Sequence, residues 1–346
     1  MGMKNVQGYL TAAWAACYAV LGVIWALGGP GFPFGYGDPE VAVRDATVPG
    51  RLGAEVGGPL IAVLGLAGLV TALVLTRAAR PPKALIGVAW GYAALLVVVI
   101  QDYRPLVALG RFLVLPVIWP LGYARHISFM DFLPWPVVNL FLCLLGGLLF
   151  ALTATKANRR RRLACDDCGR ATELGFVSRA RAARWGLWAA WTAAIIPVLY
   201  ALTRWAWFLG IPYGFSSEEL RSLEAEAPGI WLAGALLGSF GVGGSILTLG
   251  LVQRWGEVFP RWMLGMRGKR VPITLAVVPA TLVGLSVIAA GNTMILGIIK
   301  HWGDTKHLLI SGPAALWPLW GLCLIAAAYA YYLRRRAACG TCHLDT

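Results

Sequence analysis

The chain has 346 residues, of which 58% are hydrophobic and only 13% carry a charge. Soluble domains carry about 25% charged residues, so the composition excludes an ordinary soluble protein and predicts an all-α polytopic membrane protein. The formal net charge of +14 does not indicate a nucleic-acid partner, because the cytoplasmic loops of membrane proteins accumulate Lys and Arg. We expect no cleavable signal peptide, since the first apolar run is long enough to span a bilayer.

Eight apolar stretches are each long enough to cross a hydrocarbon core of about 30 Å as a helix. They are residues 9–28, 58–76, 84–101, 136–155, 185–207, 230–252, 271–291 and 314–333. A further apolar stretch, residues 106–122, contains Arg111 and two prolines. Counting it as a span would place one of the arginine-rich blocks outside the cell, so we interpret it as a re-entrant or interfacial segment.

Basic residues predict the orientation of these spans. The amino terminus, residues 77–83, 156–184 and 253–270, and the tail all fall on one side, and together they hold 21 of the 30 Lys and Arg residues. The positive-inside rule therefore places both termini in the cytoplasm of a multi-pass protein of the inner (plasma) membrane.

Two long sequence patterns occur twice. "WAACYAVLGVIWALGGPGFPFG", from residue 14, parallels "WTAAIIPVLYALTRWAWFLGIPYGF", from residue 191. "RRRRLACDDCGR" and "RRRAACGTCH" each follow a span that begins with Trp-Pro. These parallels predict a tandem duplication of four-helix repeats, residues 1–170 and 171–346. Because four is an even number of spans, the repeats would share one orientation and a pseudo-twofold axis along the membrane normal.

Each predicted repeat ends in a Cys-x-x-Cys pair, formed by Cys165 with Cys168 and by Cys339 with Cys342. Four thiolates suit a tetrahedral zinc ion, and the "CDDCG" stretch has the form of a zinc knuckle, in which the final Gly lets the turn close around the metal. A closed site with four sulfur ligands has no open coordination position, so we predict a structural zinc ion on the cytoplasmic side.

Three alternatives compete for these cysteines. A redox dithiol pair would suit the reducing cytoplasm, but the acidic residues between the first pair oppose thiolate formation. "CGTCH" matches the attachment motif of c-type haem, but its predicted side is cytoplasmic and the other pair has Gly169 where His343 stands. The third alternative is that the tails hold no metal. His343 could also replace one of the zinc ligands.

Three other cysteines fall inside spans, where we expect small buried apolar residues: Cys17, Cys143 and Cys323.

A polar cluster is predicted on the outer side. "QDYRPL" places Asp102 and Arg104 at the outer end of the third span, where they could form an ion pair, or bind a headgroup together with His126 and Asp131. The spans otherwise contain almost no ionisable side chain, which argues against ion-coupled transport. On the same side, Ser-Ser before Glu-Glu in "FSSEELRSLEAEAPG" is a helix-start pattern and predicts a short surface helix.

The "WALGGPGFPFG" exit loop, the "QDYR" motif and the arginines before Cys-x-x-Cys resemble bacterial integral membrane proteins built from four-helix units. This resemblance covers both repeats except at "QDYR", and it implies an architecture without implying an activity.

Three function classes remain open. The first is handling, including transport, of a small apolar or amphipathic molecule or lipid at the interface of the repeats. The second is a structural or assembly protein that presents its zinc site and basic face to a protein partner or to anionic headgroups. The third is a membrane thiol–disulfide or metal-handling redox protein. The absence of hydrolase, phosphate-loop and metalloprotease motifs argues against an enzyme.

Overall fold

All regular structure of the described residues in the computed structural model is helical. The structure describes residues 5–40, 47, 49–120, 133–165, 168–169, 178–259, 265–336, 339 and 342. Its α-helices, in chain order, are α1 (Val6–Ala26), α2 (Ala54–Arg77), α3 (Lys83–Ala94), α4 (Arg104–Ile118), α5 (Trp135–Arg161), α6 (Arg179–Phe208), α7 (Ser217–Glu226), α8 (Ile230–Gly250), α9 (Ile273–Lys300), α10 (Thr305–Ala315) and α11 (Trp317–Arg335). A π-helical segment, Leu95–Val99, continues α3.

Seven helical segments among the described residues are individually long and apolar enough to cross a membrane, with α10 and α11 counted together as Thr305–Arg335. The segment Lys83–Val99 meets the same test only together with Arg104–Phe112, and this pair is bent by 64° at a short break. The count is eight if the bent pair is one span. The prediction of an all-helical membrane protein is confirmed at this level, whereas the re-entrant course of residues 106–122 stays a prediction.

Several helices are longer than the predicted spans. Helix α6 begins at Arg179 rather than at residue 185, because the Ser178 hydroxyl accepts a hydrogen bond from the backbone N–H of Arg181 and caps the helix. Helix α9 continues to Lys300, well beyond the predicted end at residue 291. The additional part of α6 is rich in arginine, which a hydropathy pattern does not count as span, whereas the additional part of α9, residues 292–300, is mostly apolar after Asn292 and Thr293.

The chain divides into two compact units. Unit 1 consists of Met1–Asp102, Leu133–Gly175 and Ala337–Thr346, and unit 2 consists of Tyr103–Phe132 and Phe176–Arg336. Unit 1 therefore contains α1, α2, α3 and α5 together with both Cys-x-x-Cys pairs, and unit 2 contains the other helices. The predicted division into residues 1–170 and 171–346 stays a prediction.

Helices α1 and α2 of unit 1 pack with their backbones in close contact. A Cβ atom added at Gly22 would lie 2.3 Å from the backbone N of Ala62, and one added at Gly65 would lie 2.5 Å from the backbone N of Ala19. Only glycine fits at these positions. Helices in lipid gain little from the hydrophobic effect on association, so close van der Waals packing of small residues is the main source of their stability.

The interior of unit 1 joins α1 to α5 through paired polar groups. The Tyr18 hydroxyl donates to Asn139 Oδ1 at 2.8 Å, and the hydroxyls of Thr11 and Thr153 lie 2.8 Å apart. The aromatic rings of Tyr92 and Phe150 stack beside these groups, with their centroids 4.7 Å apart. Because buried polar groups are costly when unpaired, these pairs fix the register of the two helices.

In unit 2, α6 packs on α8 and α11, and α9 packs on α11. A Cβ atom at Gly321 of α11 would lie 2.3 Å from the carbonyl O of Gly284 in α9. One at Gly238 of α8 would lie 3.1 Å from Cα of Ala201 in α6. Gly234 and Gly238 form a Gly-x-x-x-Gly pattern in α8, and such patterns are typical of closely packed membrane helices.

Arginines at the end of α5 hydrogen-bond backbone carbonyls within unit 1. Arg161 donates to the carbonyl of Pro81, just before α3. Arg160 donates to three carbonyls at the end of α2, those of Leu75, Thr76 and Ala78. The carbonyls at the end of α2 lie where the helix has no backbone N–H donors of its own left to offer. The arginines therefore join the ends of three helices in addition to any role as membrane anchors.

The arginines at the end of α11 make corresponding contacts within unit 2. Arg334 donates to the carbonyl of Leu251, which follows α8. Arg335 donates to the carbonyl of Val271, just before α9, and to the hydroxyl of Tyr331. Each arginine pair thus holds the end of one helix and the approach to another within its own unit.

Candidate metal centre

The end of α5 positions the first cysteine pair. The backbone N–H of Leu163 donates to the carbonyl of Arg160, and that of Ala164 donates to the carbonyl of Arg159. This is the hydrogen-bond pattern of a Schellman motif. Leu163 occupies the left-handed position, at φ 55°, which usually favours glycine. The motif ends the helix at Arg161, shortly before Cys165.

A tight turn then brings Cys165 and Cys168 together. The backbone N–H of Gly169 donates to the carbonyl of Cys165 at 2.8 Å. Gly169 has φ 70°, and a Cβ atom there would lie 2.6 Å from Nε of Arg159. The left-handed backbone favours glycine here, and any other side chain would also displace the Arg159 guanidinium. The role predicted for the glycine of "CDDCG", closure of the turn, therefore agrees with the geometry.

The four predicted ligand sulfurs lie together within unit 1. The Sγ atoms of Cys165 and Cys339 are 3.9 Å apart, those of Cys168 and Cys342 are 3.5 Å apart, and all four lie within 4.8 Å of one another. Four sulfurs at about 2.3 Å from a tetrahedral zinc ion are about 3.8 Å apart. The observed separations bracket that value, and both closest contacts exceed the S–S bond length of about 2.05 Å.

The cluster is partly shielded from solvent and lies beside an arginine. Cys168 is 8% exposed and Cys339 is 9% exposed, and the other two cysteines are half-buried. Four thiolates around a divalent cation leave two negative charges, and the Arg159 guanidinium lies against the backbone of Gly169 beside them. This guanidinium would offset part of that negative charge in a metal-bound site. Asp166, Asp167 and His343 lie outside the described residues, so their predicted influence is not tested.

The predicted outer cluster is described only in part. Asp102 is 2% exposed and Arg104, the first residue of α4, is 8% exposed. Burial at this level is unusual for charged side chains and indicates that both are held by the protein interior. His126 and Asp131 lie outside the described residues, so the four-residue cluster stays a prediction.

Unit 1 also contains a small apolar cavity of about 70 Å³ between its helices. Aromatic side chains of α1, α3 and α5 form much of its wall, together with one cysteine: Trp14, Tyr18, Tyr92, Phe150 and Cys143. The π-helical segment contributes Leu95 and Leu96, and such segments frequently occur at functional sites. The volume exceeds the space that a single water needs.

Three expectations from the sequence need correction or addition. Cys17 is exposed and Cys323 is half-buried rather than buried, although Cys143 is buried as expected. Arg204 lies inside the predicted fifth span and within α6, so the spans contain one more charged side chain than was predicted. The carbonyl contacts of Arg160 and Arg334 were also not predicted. The equal spacing from each of these arginines to the cysteine pair that follows could have indicated a shared structural role.

No protein-family model, no curated protein and no solved structure matches this chain.

Proposed function

We propose that this chain is a membrane protein whose four motif cysteines bind one zinc ion in a closed, structural site. The observation that carries this proposal is the clustering of four sulfur atoms within 4.8 Å of one another. Soft thiolate ligands in a tetrahedral arrangement select zinc or iron, and zinc needs no redox partner. A structural ion here would fix the C-terminal segment to the segment that follows α5.

Metal analysis of the purified protein tests this proposal. We expect about one zinc per chain by mass spectrometry of the metal content, and loss of zinc when Cys168 or Cys342 is replaced by Ser. Cys17→Ser is the matched control, because this exposed cysteine lies outside the cluster. Iron in place of zinc would give the visible absorption of iron–thiolate bonds. A protein purified without chelators that holds neither metal would refute the site.

We further propose that the protein lies in the inner (plasma) membrane with both termini and the metal site in the cytoplasm. The distribution of Lys and Arg supports this orientation. The reducing cytoplasm would also keep the four thiols available for a metal.

A tandem duplication with a parallel pseudo-twofold axis is also part of this proposal. Cys165 and Cys168 precede Cys339 and Cys342 by 174 residues, and the same spacing relates Arg160 to Arg334. Each of these arginines holds the carbonyl end of a helix within its own unit.

The first helix of each proposed repeat ends in a similar way. Trp25 and Trp207 are each 2% exposed, and their rings pack edge-to-face against Phe32 and Phe215. A Leu-Gly step follows each Trp, and its glycine has positive φ. Agreement in burial, ring geometry and backbone conformation supports a common origin of the two segments.

The second candidate function is the handling of a small apolar or amphipathic molecule or a lipid. The apolar cavity of unit 1 favours it, because aromatic walls without charged groups suit an uncharged, apolar ligand. The sequence predicts this ligand at the interface of the repeats, which is a different place from the cavity of unit 1. A ligand site at that interface stays a prediction.

Replacing all four motif cysteines with Ser distinguishes the remaining classes. If the protein is structural, this variant loses zinc and stability. If the protein handles a ligand, the folded fraction of the variant retains ligand binding. A redox protein instead loses thiol–disulfide exchange, measured with a dithiol-reducible dye. An assembly protein loses its protein partner, which co-purification from membranes would detect.

A further inference from the structure

The link between α8 and α9, residues 251–272, folds back onto the helix end that it leaves. Helix α8 ends at Gly250, and Arg254–Gly256 form a 3₁₀ turn shortly after it. A Cβ atom added at Gly250 would lie 2.8 Å from the ring of Trp255, and one added at Gly256 would collide with the carbonyl O of Gly250. The Tyr331 hydroxyl of α11 donates to the carbonyl of Gly256 at 3.0 Å. The turn therefore lies against the end of α8.

The other end of the α8–α9 link is also fixed. Val258 and Arg270 form an antiparallel backbone bridge. The Arg335 guanidinium of α11 donates to the carbonyl of Val271 at 2.8 Å, and helix α9 begins two residues later, at Ile273. Contacts with α11 thus hold both ends of the link next to the helices that they join.

These contacts place the ends of the link at the edge of the hydrocarbon core. Helices α8 and α9 are both candidate membrane spans. Helix α8 has 21 residues, a length of about 31 Å that matches a hydrocarbon core of about 30 Å. Arg254 directly precedes the Trp255 ring that lies against this helix end. Arg270 precedes α9 by three residues, a distance of at most about 10 Å. Both arginines therefore lie close to the lipid headgroups, which form the layer just outside the core.

The exposed charges in the described part of the link are positive. Glu257 is the acidic residue of the link sequence, and its carboxylate lies 3.7 Å from the guanidinium of Arg334, which balances its charge. Four exposed residues of the link carry a positive charge: Arg254, Arg267, Lys269 and Arg270. We call these four residues the basic surface. An anionic partner complements its charge.

Exposed apolar side chains accompany the basic surface. Trp255 is 40% exposed, and Val258 and Met266 are each 41% exposed. Segments that lie on anionic membranes combine Lys and Arg with Trp and other apolar side chains, because the interface offers both charged headgroups and an apolar edge. Trp is also typical of the membrane–water boundary. The composition and the depth of the link therefore favour lipid headgroups over a soluble acidic partner.

We propose that the basic surface of the α8–α9 link docks onto the headgroups of anionic phospholipids around the protein. Each Lys or Arg close to such a surface strengthens binding by a factor of about five, and the charges need not meet at one phosphate. This inference rests on the proposed membrane location, because it requires α8 and α9 to span the bilayer. It shares no residue with the metal centre or with the cavity of unit 1.

Hydrogen exchange of the full-length protein in lipid nanodiscs tests the basic surface. One set of discs contains dioleoylphosphatidylcholine alone, and a second set also contains dioleoylphosphatidylglycerol. Mass spectrometry follows deuterium uptake by the backbone amides of residues 265–271. The test variants are Arg254→Gln/Arg270→Gln, which loses two charges, and Arg254→Lys/Arg270→Lys, which keeps them. Arg221→Gln is the matched control, because Arg221 is an exposed arginine of α7 outside the link.

We expect phosphatidylglycerol to slow exchange in the wild-type protein and in Arg221→Gln, and high salt to abolish the effect because exposed charges are screened. Loss of two charges should reduce this protection about tenfold or more. The Lys variant should keep the protection, since attraction to a charged surface depends on charge rather than on the shape of the guanidinium. Equal exchange of the wild-type protein in both sets of discs would overturn the proposal, as would full protection of the Gln variant.

Two other outcomes separate the lipid from different causes. Protection in native membranes but not in discs with phosphatidylglycerol would assign the basic surface to an acidic protein and reject the lipid. Faster exchange of the Gln variant in phosphatidylcholine as well would indicate that the link has lost its fold. The Lys variant then decides, because a response to phosphatidylglycerol unlike that of the wild-type protein would contradict the proposal.

The same samples distinguish this proposal from the proposed function. A chain that enters nanodiscs and binds zinc, but does not respond to phosphatidylglycerol, loses only the lipid surface. A chain that enters nanodiscs without zinc and does respond retains the lipid surface and loses the metal site. Failure of the chain to enter nanodiscs at all would refute the membrane location, and the lipid surface with it.

Discussion

Gly169 illustrates how one residue determines whether the cysteine pair can present both sulfurs on the same side of a turn. Its φ of 70° and its N–H bond to the carbonyl of Cys165 close the turn. An L-amino acid at this position would strain the backbone and move the Arg159 side chain, whose Nε would lie 2.6 Å from the new Cβ.

We predict that Gly169→Ala weakens zinc binding by about 1–3 kcal/mol, the usual cost of a strained backbone position. Competition with a chelator of known zinc affinity measures this change. Gly87→Ala is the control, since φ at Gly87 is not positive and nothing lies within 4 Å of a Cβ atom there. Unchanged zinc affinity in Gly169→Ala would mean that the turn is not needed for metal binding.

At the level of single residues, the chemistry of the site was predictable and its surroundings were not. The repeated Cys-x-x-Cys spacing identified all four sulfurs, because ligand spacing is local in sequence. The contact of Arg159 with the Gly169 turn depends on how α5 ends, which spacing alone does not encode. The exposure of Cys17 likewise depends on which face of α1 packs against other helices. The residues around Cys17 in the sequence are apolar on every face and do not indicate which face that is.

Helix ends in this protein are held by side chains from other helices. Arg160 donates to the carbonyls of Leu75, Thr76 and Ala78, and so supplies donors that the end of α2 lacks. One guanidinium thereby connects α5 to α2. Arg162, in the same arginine block, has an exposed side chain.

We predict that Arg160→Gln lowers the free energy of unfolding by about 1–3 kcal/mol, because several carbonyls lose a charged donor at once. Arg334→Gln should have an effect of the same sign in unit 2, where Leu251 loses its donor. Arg162→Gln should change stability little. Denaturation in detergent mixtures, followed by circular dichroism, gives the comparison. Equal stability of the Arg160 and Arg162 variants would show that these bonds contribute nothing net.

Helix α7 is joined to the start of α10 by an ion pair that depends on pH. The side chain of Glu219 completes a capping box with Ser216 and pairs with Lys306. Hydrogen bonds from Lys306 and from the backbone of Ser216 lower the pKa of the Glu219 carboxyl from its ordinary 4.5 to about 2. The folded state therefore binds this proton less readily than the unfolded state does.

This difference gives a pH dependence of definite sign. The stabilisation from Glu219 is fully present above about pH 4.5 and is lost as the pH falls towards 2. We predict that Glu219→Gln lowers the unfolding temperature at neutral pH, and that this deficit shrinks steadily as the pH falls from about 5 to 2. Glu218→Gln, at the exposed neighbouring position, is the control. A deficit that stays constant with pH would contradict the assignment.

At the level of elements, the sequence predicted which segments are helical better than where they end. The Ser-Ser-Glu-Glu pattern correctly predicted α7, because a capping box is a local motif. The predicted spans stop where hydropathy falls, although hydrogen bonding carries α9 to Lys300 and α6 back to Arg179. The bend between Lys83–Val99 and Arg104–Phe112 follows a π-helical segment that no composition signal marks.

At the scale of the whole molecule, the arginine blocks have two roles. Each block satisfies carbonyls within its own unit through the first of its paired arginines. Each block also carries positive charge that opposes translocation, and a Cys-x-x-Cys pair follows within a few residues. A metal site built directly after such blocks would remain on the side of the membrane where the arginines stay.

Accessibility of the thiols tests this orientation. We predict that a membrane-impermeant maleimide added to intact cells fails to label Cys168 and Cys342 in a variant whose three non-motif cysteines, Cys17, Cys143 and Cys323, are replaced by Ser. Bound zinc could also block the reagent, so the same cells are permeabilised and treated with chelator, after which both thiols should react. Ser217→Cys, introduced into a chain without other cysteines, is the outward-facing control, because Ser217 is exposed at the start of α7. It should react in intact cells, since the predicted topology places α7 on the opposite side from the arginine blocks. Labelling of Cys168 or Cys342 before permeabilisation would reverse the topology and remove the metal site from the cytoplasm.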